Sequence, residues 1–206
     1  NTSSTTTTHD HTPHTTHTSH TTIKKIRVGY LSPDFSGTHP LAFLMQHVFQ
    51  HHNSSQFDIH LYSIGINDAS PELQTIQSSV PNNNWNQFSP GTNSTTIAHR
   101  IHNDHLDILI DLCGHAGTSA VMEVMAQKVA PIQIHYMGFA GSTGSDCIDY
   151  YLCDTTVVPP HLPTLRKQYT ERLIWMPHSY FVNSHKTVLG DTIQQYKTNH
   201  RGEGRL

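Results

Sequence analysis

DILIDLCGHAG (107–117) and APIQIHYMGFAGSTG (130–144) decide the fold. In each, a short apolar run of strand length leads straight into a glycine-rich loop: Ile108-Leu109-Ile110 ends at Cys113–Gly117, and Ile132–Met137 ends at Gly138–Gly144. Upstream, Ile26–Leu31 runs the same way into Ser32-Pro33-Asp34-Phe35-Ser36-Gly37-Thr38-His39-Pro40. An open parallel sheet binds ligands just past the carboxyl ends of its strands. Three such loops on one sheet therefore read as an active-site rim.

Working outward, strand and helix patterns alternate. A helix opens at Pro40, where a missing N–H is no loss, and Leu41, Leu44, Met45, Val48 and Phe49 form its apolar stripe. Phe57–Ser63 alternates as a second strand. A polar, loop-rich stretch follows over 65–92, with a short helix at Pro71–Ser78. A further helix carries Ile97 and Ile101 and ends near Asn103-Asp104. Then come the Ile108 strand, a helix over Ala120–Lys128, the Ile132 strand and a strand at Tyr150–Cys153. This alternation marks a doubly wound, Rossmann-like α/β domain with a parallel sheet. The predicted domain spans 23–182. Residues 1–22 are nearly all Thr, Ser and His, with nothing to bury, and are expected to be disordered. Residues 183–206 lose pattern and are expected to be an irregular, truncated tail without a closing helix.

The bulk properties narrow the function classes. Net charge is −3 and the basic residues are scattered, so no nucleic-acid groove is expected. Nothing approaches membrane-spanning length. Cys113, Cys147 and Cys153 fit a reducing compartment, so the expected location is cytoplasmic or nuclear. Of 19 histidines, five sit in the tail, at 9, 11, 14, 17 and 20, and read as low-complexity sequence. His51-His52 and His99, His102 and His105 have helical spacings but no companion ligands, so no metal or cofactor site is expected.

His39 is the first catalytic candidate. A neutral imidazole above a strand-end loop suits two jobs, accepting a proton from a hydroxyl or donating a hydrogen bond to a sugar oxygen; capping the helix is the third. Asp34 could orient His39, serve as the base itself, or close its loop as an Asx turn. His115 projects from the second rim loop toward a sugar or acceptor. Asp111 ends an otherwise apolar strand, so its carboxylate is expected to tie loop amides together. Gly138, Gly141, Thr143 and Gly144 shape a loop whose backbone amides could meet a diphosphate or sugar. Asp149 and Asp154 read as strand-end turn formers. Trp85 and Trp175 read as core or interface aromatics rather than sugar platforms.

RVGYLSPDF…HP at 27–40, DILIDLCGH at 107–115, APIQIHYMGFAGSTG…IDYYLCD at 130–154, and Tyr169…Glu171-Arg172-Leu173…Met176-Pro177-His178…Phe181 stand in order over most of the patterned chain. Together they resemble the amino-terminal half of the catalytic region of O-linked N-acetylglucosamine transferases and their SPINDLY relatives. The resemblance implies a two-lobed, GT-B type nucleotide-sugar transferase without a metal, of which this chain is the N-terminal, acceptor-side lobe. The implied donor is UDP-GlcNAc, or GDP-fucose in the SPINDLY branch, and the implied partners are protein Ser/Thr acceptors and a second lobe. The family's histidine of the Asp-Phe-x-x-His-Pro loop falls on His39, with one extra residue in this chain. Phe139 and Ala140 replace the family's Tyr and Pro, and Ala120 stands where many relatives carry arginine. A lobe of this kind is expected to be inactive alone. The alternative is a non-catalytic, truncated or degenerate lobe serving as a binding module.

Overall fold

The apolar runs become strands of one sheet, and the striped segments become the helices that cover it. The computed structural model describes residues 24–199, so the expectation for residues 1–22 lies outside the described residues. Among these, seven strands form the sheet: β1 (Ile26–Ser32), β2 (Phe57–Ser63), β3 (Trp85–Gln87), β4 (Ile108–Asp111), β5 (Ile132–His135), β6 (Tyr150–Asp154) and β7 (Arg172–Met176). Their order is β3-β2-β1-β4-β5-β6-β7, with every neighbouring pair parallel. The helices are α1 (Pro40–Met45), α2 (Pro71–Ser78), α3 (Ser94–Asn103), α4 (Ala120–Ala126), α5 (Pro163–Arg166) and α6 (His185–Asn199).

Side-chain alternation along the strands sorts the core into two faces. Val28, Tyr30, Ile59 and Leu61 meet Leu41, Met45, Leu73 and Ile76 of α1 and α2. Leu31, Tyr62 and Leu109 meet Ile97, Ile101, Val121 and Met125 of α3 and α4 on the opposite face. Each fully buried aliphatic chain of this kind contributes roughly 1.5–3 kcal/mol. The chain winds outward from β1 to β3, then returns beside β1 as β4. The switch point, and the crevice it creates, therefore lies at the carboxyl ends of β1 and β4.

Two strands were not expected. β3 is a three-residue edge strand inside the polar 65–92 stretch, with Trp85 packed against the core by pairing to Leu61. β7 forms the other edge, where only one side needs a partner; Trp175 lies in it, 39% exposed, with its indole N–H donating to the Val158 carbonyl. The tail reading also needs correction. His185–Asn199 is a 15-residue helix rather than irregular chain. None of its residues is buried, and Val188, Leu189, Ile193 and Tyr196 are exposed. It has no buried apolar stripe, the pattern that marks α1 to α4 in the sequence. Asp149 and Asp154 are structural, as expected: Asp149 accepts from Gln133 N, and Asp154 from the backbone of Thr156, Val157 and Tyr180.

Candidate active site

The crevice has two lips. The first is the loop after β1, residues 33–39. Gly37 N donates to both Asp68 and Ser70, which fixes the middle of the loop to the start of α2. His39 ends it in extended conformation and caps α1, its Nδ1 accepting the Leu41 N–H at 3.2 Å. A neutral ring held this way carries its proton on Nε2. That atom faces Asp34 Oδ1 at 3.8 Å, with the imidazole 46% and the carboxylate 19% exposed. Among the described residues no group donates a hydrogen bond to the Asp34 carboxylate; its backbone N–H donates to Ser32 Oγ. Burial pushes the Asp34 carboxyl above its ordinary value, and the nearby His39 only partly opposes this. The Asx-turn role is therefore not the one it takes.

The second lip joins the loops after β4 and β5. Asp111, fully buried at the end of β4, accepts from Cys113 N at 2.7 Å and Gly114 N at 2.9 Å, so it ties loop amides together as its sequence position predicts. Its second oxygen meets His135 Nδ1 at 2.8 Å, and His135 Nε2 meets the Phe139 carbonyl at 2.7 Å. Glu171, buried at the edge of β7, accepts from Thr143 N at 2.6 Å, Thr143 Oγ1 at 2.5 Å and Ser142 Oγ at 2.8 Å. His115 Nε2 donates to the Thr143 carbonyl at 2.7 Å and its ring packs edge-on against Phe139. Burial, with the charges of Asp111 and Asp34 beside it, pushes the Cys113 thiol up to about 12. Met137 enters the loop at φ 75°, a strained conformation for a side chain of its size. Next to the crevice, a groove of about 410 Å³ is lined by Pro33 and Ile64, by Asn93 at the start of α3, and by Thr118, Ala120 and Glu123 at the start of α4.

The sequence profile described as glycosyl transferase family 41 matches residues 3–204. The chain belongs to glycosyl transferase family 41. Among curated relatives in that family's company, the probable UDP-N-acetylglucosamine–peptide N-acetylglucosaminyltransferase SEC of Arabidopsis thaliana is 40% identical over 170 residues, 82% of this chain and 17% of the relative. The UDP-N-acetylglucosamine–peptide N-acetylglucosaminyltransferase of Caenorhabditis elegans is 29% identical over 81% of this chain and 14% of its own length. The chain thus spans about a sixth of the first relative's length. A solved mutant of the Thermobaculum terrenum O-GlcNAc transferase superposes with a TM-score of 0.68 at 23% identity, covering 76% of this chain and 28% of that one; it shares the fold.

In this family 41 chain the fold brings His39 and Asp34 together, and His115 next to Thr143. In the glycine-rich loop most of the glycine amides are already engaged within the chain. Gly138 N donates to Tyr136 O, Gly141 N to Phe139 O, Thr143 N to Glu171 and Gly144 N to Ser142 Oγ. The N–H groups of Phe139, Ala140 and Ser142 are the ones without an acceptor among the described residues. Gly138 answers a packing demand instead: a Cβ there would lie 2.0 Å from the Leu112 carbonyl oxygen. Sequence reasoning gave no role to His135 or Glu171. The available signal was a polar residue at an inward strand position, and an acid just before a strand.

Proposed function

We propose that residues 24–184 form the acceptor-side lobe of a protein O-glycosyltransferase that moves N-acetylglucosamine from UDP-GlcNAc to Ser/Thr hydroxyls, acting in the cytoplasm or nucleus. The observation that carries this reading is the Asp34–His39 pair on one lip of the switch-point crevice, facing a braced glycine-rich lip. Inverting transfer needs a base for the incoming hydroxyl and stabilisation of the departing diphosphate. Asp34 suits the first role: its carboxylate has free lone pairs and a raised affinity for the proton. With Nδ1 engaged by the cap, His39 points an N–H toward the crevice and suits donation to a sugar or acceptor oxygen. As the hydroxyl oxygen bonds the anomeric carbon, its proton passes to Asp34 and UDP leaves. Cations for the diphosphate would come from a second lobe, in the same longer protein or a partner.

The test is transfer of labelled sugar from UDP-GlcNAc, and in parallel from GDP-fucose, to a Ser/Thr peptide. The chain alone is expected to show none. A chimera carrying residues 24–184 in place of the matching segment of the Arabidopsis relative is expected to transfer, and Asp34→Asn in it to lose at least a hundredfold in kcat, the low end of general-base contributions. Transfer by the chain alone would overturn the lobe reading. A silent chimera that folds would favour a non-catalytic binding module. Two features support that second reading: Phe139 packs its ring inside the glycine-rich loop, and Ala120 lines the groove where the family resemblance expects a guanidinium.

A further inference from the structure

We propose that His135 is a positioning residue, a buried imidazolium that clamps the 138–144 loop onto the loop after β4. Both ring nitrogens face oxygens that can only accept. Nδ1 lies 2.8 Å from Asp111 Oδ2, a carboxylate that also takes the Cys113 and Gly114 N–H groups. Nε2 lies 2.7 Å from the Phe139 carbonyl. A neutral imidazole has one N–H, so it satisfies one of these acceptors and turns a lone pair on the other; two donors require the protonated ring. Water cannot fill the gap. The ring is fully buried, Tyr151 stacks on it at 5.5 Å, and a Cβ at Gly114 would already sit 2.6 Å from its Cε1.

The surroundings favour the charge. Asp111 reaches it from β4 and Glu171 acts on it from the edge of β7. Tyr151 of β6 and Cys113 beside Asp111 are both pushed toward their neutral forms by burial, so neither contributes a charge, and the favourable charges are those of Asp111 and Glu171. His115 contacts Phe139 rather than His135. Burial by itself lowers the proton affinity of His135, but the Asp111 hydrogen bond and charge, the Phe139 carbonyl and Glu171 outweigh it, and the ring titrates above its ordinary 6.5.

The consequence is local. When the second proton leaves, one end of the bridge becomes a lone pair against an oxygen. The Asp111 end is fixed by the Cys113 and Gly114 N–H groups, so the Phe139 end opens and takes with it the free amides of Phe139, Ala140 and Ser142. That this loop serves a sugar nucleotide rests on the proposed function; the clamp itself does not.

The test uses the full 206-residue chain with ¹⁵N-labelled histidine. Long-range nitrogen–proton spectra from pH 5.5 to 9.5 follow the imidazoles, and His135→Gln identifies the signal among the 19 histidines. Both His135 nitrogens are expected to stay protonated at pH 7.5. Above its titration point, exchange of the hydrogen-bonded loop amides of Gly138 and Gly141 should rise beyond the intrinsic base dependence, by up to about tenfold per pH unit. Strand amides of β4 and β5 should not follow. In His135→Gln this extra pH dependence should vanish. Titration at or below 6.5, or loop exchange indifferent to the titration, overturns the clamp. If the variant fails to fold, the titration and exchange of the unaltered chain decide alone. A chain that shows the clamp, with a folded chimera that transfers no sugar, counts against the functional reading only.

Discussion

The two lips of the crevice are built on opposite plans. The second is cross-braced from inside, with Asp111, His135 and Glu171 each buried and each holding loop backbone. The first is anchored by its own backbone bonds and by the buried Phe35, and leaves the Asp34 carboxylate without a hydrogen-bond donor among the described residues and His39 half exposed. Stability and chemistry are thus separated. The braced lip is a fixed wall of backbone, while the open lip holds groups whose environment is unfavourable for folding and useful for proton transfer.

Substitution of the matching acids should expose this contrast most strongly. Asp111→Ala leaves His135 and the Cys113 and Gly114 amides buried without their acceptor. Removing one partner of such a buried pair costs about 3–5 kcal/mol, which urea unfolding of the chain will register. Asp34→Asn should be neutral or stabilising at pH 7, because burial already disfavours its ionised form. Equal losses at both positions would erase the distinction between the lips.

A pH series sharpens the comparison further, with a smaller effect. For Glu171, burial raises the carboxyl's proton affinity, but the hydrogen bonds from Thr143 and Ser142 outweigh it and leave the group below its ordinary 4.5. Its contribution is therefore complete above 4.5 and lost as pH falls through the depressed value. His135 has the opposite sign. Raised above 6.5, it contributes fully below that pH and loses its contribution as pH climbs through the raised value. Urea midpoints should form a plateau between these limits. Glu171→Gln should flatten the acid side and move the alkaline fall to lower pH, because the Glu171 charge helps His135 hold its second proton.

The wall and the open lip were not equally legible in the sequence. Apolar runs with glycine-rich ends marked the doubly wound fold and its rim of loops, because a parallel sheet buried on both faces demands such runs. Asp111 was legible as a carboxylate at an apolar strand end that must find donors. His135 and Glu171 were not, since their roles depend on contacts 24 and 28 residues away in the chain, with Asp111 and Thr143. The glycines of 138–144 marked the loop but not its packing: a Cβ at Gly138 would meet the Leu112 carbonyl oxygen, a contact that no local pattern announces. Edge strand β3 and helix α6 lack the apolar pattern of a buried element, whereas β7 carries an apolar run, Leu173–Met176, with no glycine-rich loop after it to mark it as a strand of the rim.

His39 offers the smallest stability effect and the finest division between the lips, because one side chain both caps a helix and faces the crevice. The capping bond is long at 3.2 Å and belongs to a six-residue helix. His39→Ala should therefore cost at most about 1 kcal/mol, the usual scale for a lost N-cap. Asparagine is among the best N-caps, so His39→Asn should restore the alanine variant's stability by placing an oxygen where Nδ1 stood. It carries no N–H at the Nε2 position toward Asp34. If His39 is only a cap, the asparagine variant of the chimera will regain transfer together with its urea midpoint. If the ring serves the crevice, stability will return and transfer will not, and the two duties will have been assigned to separate nitrogens of one residue.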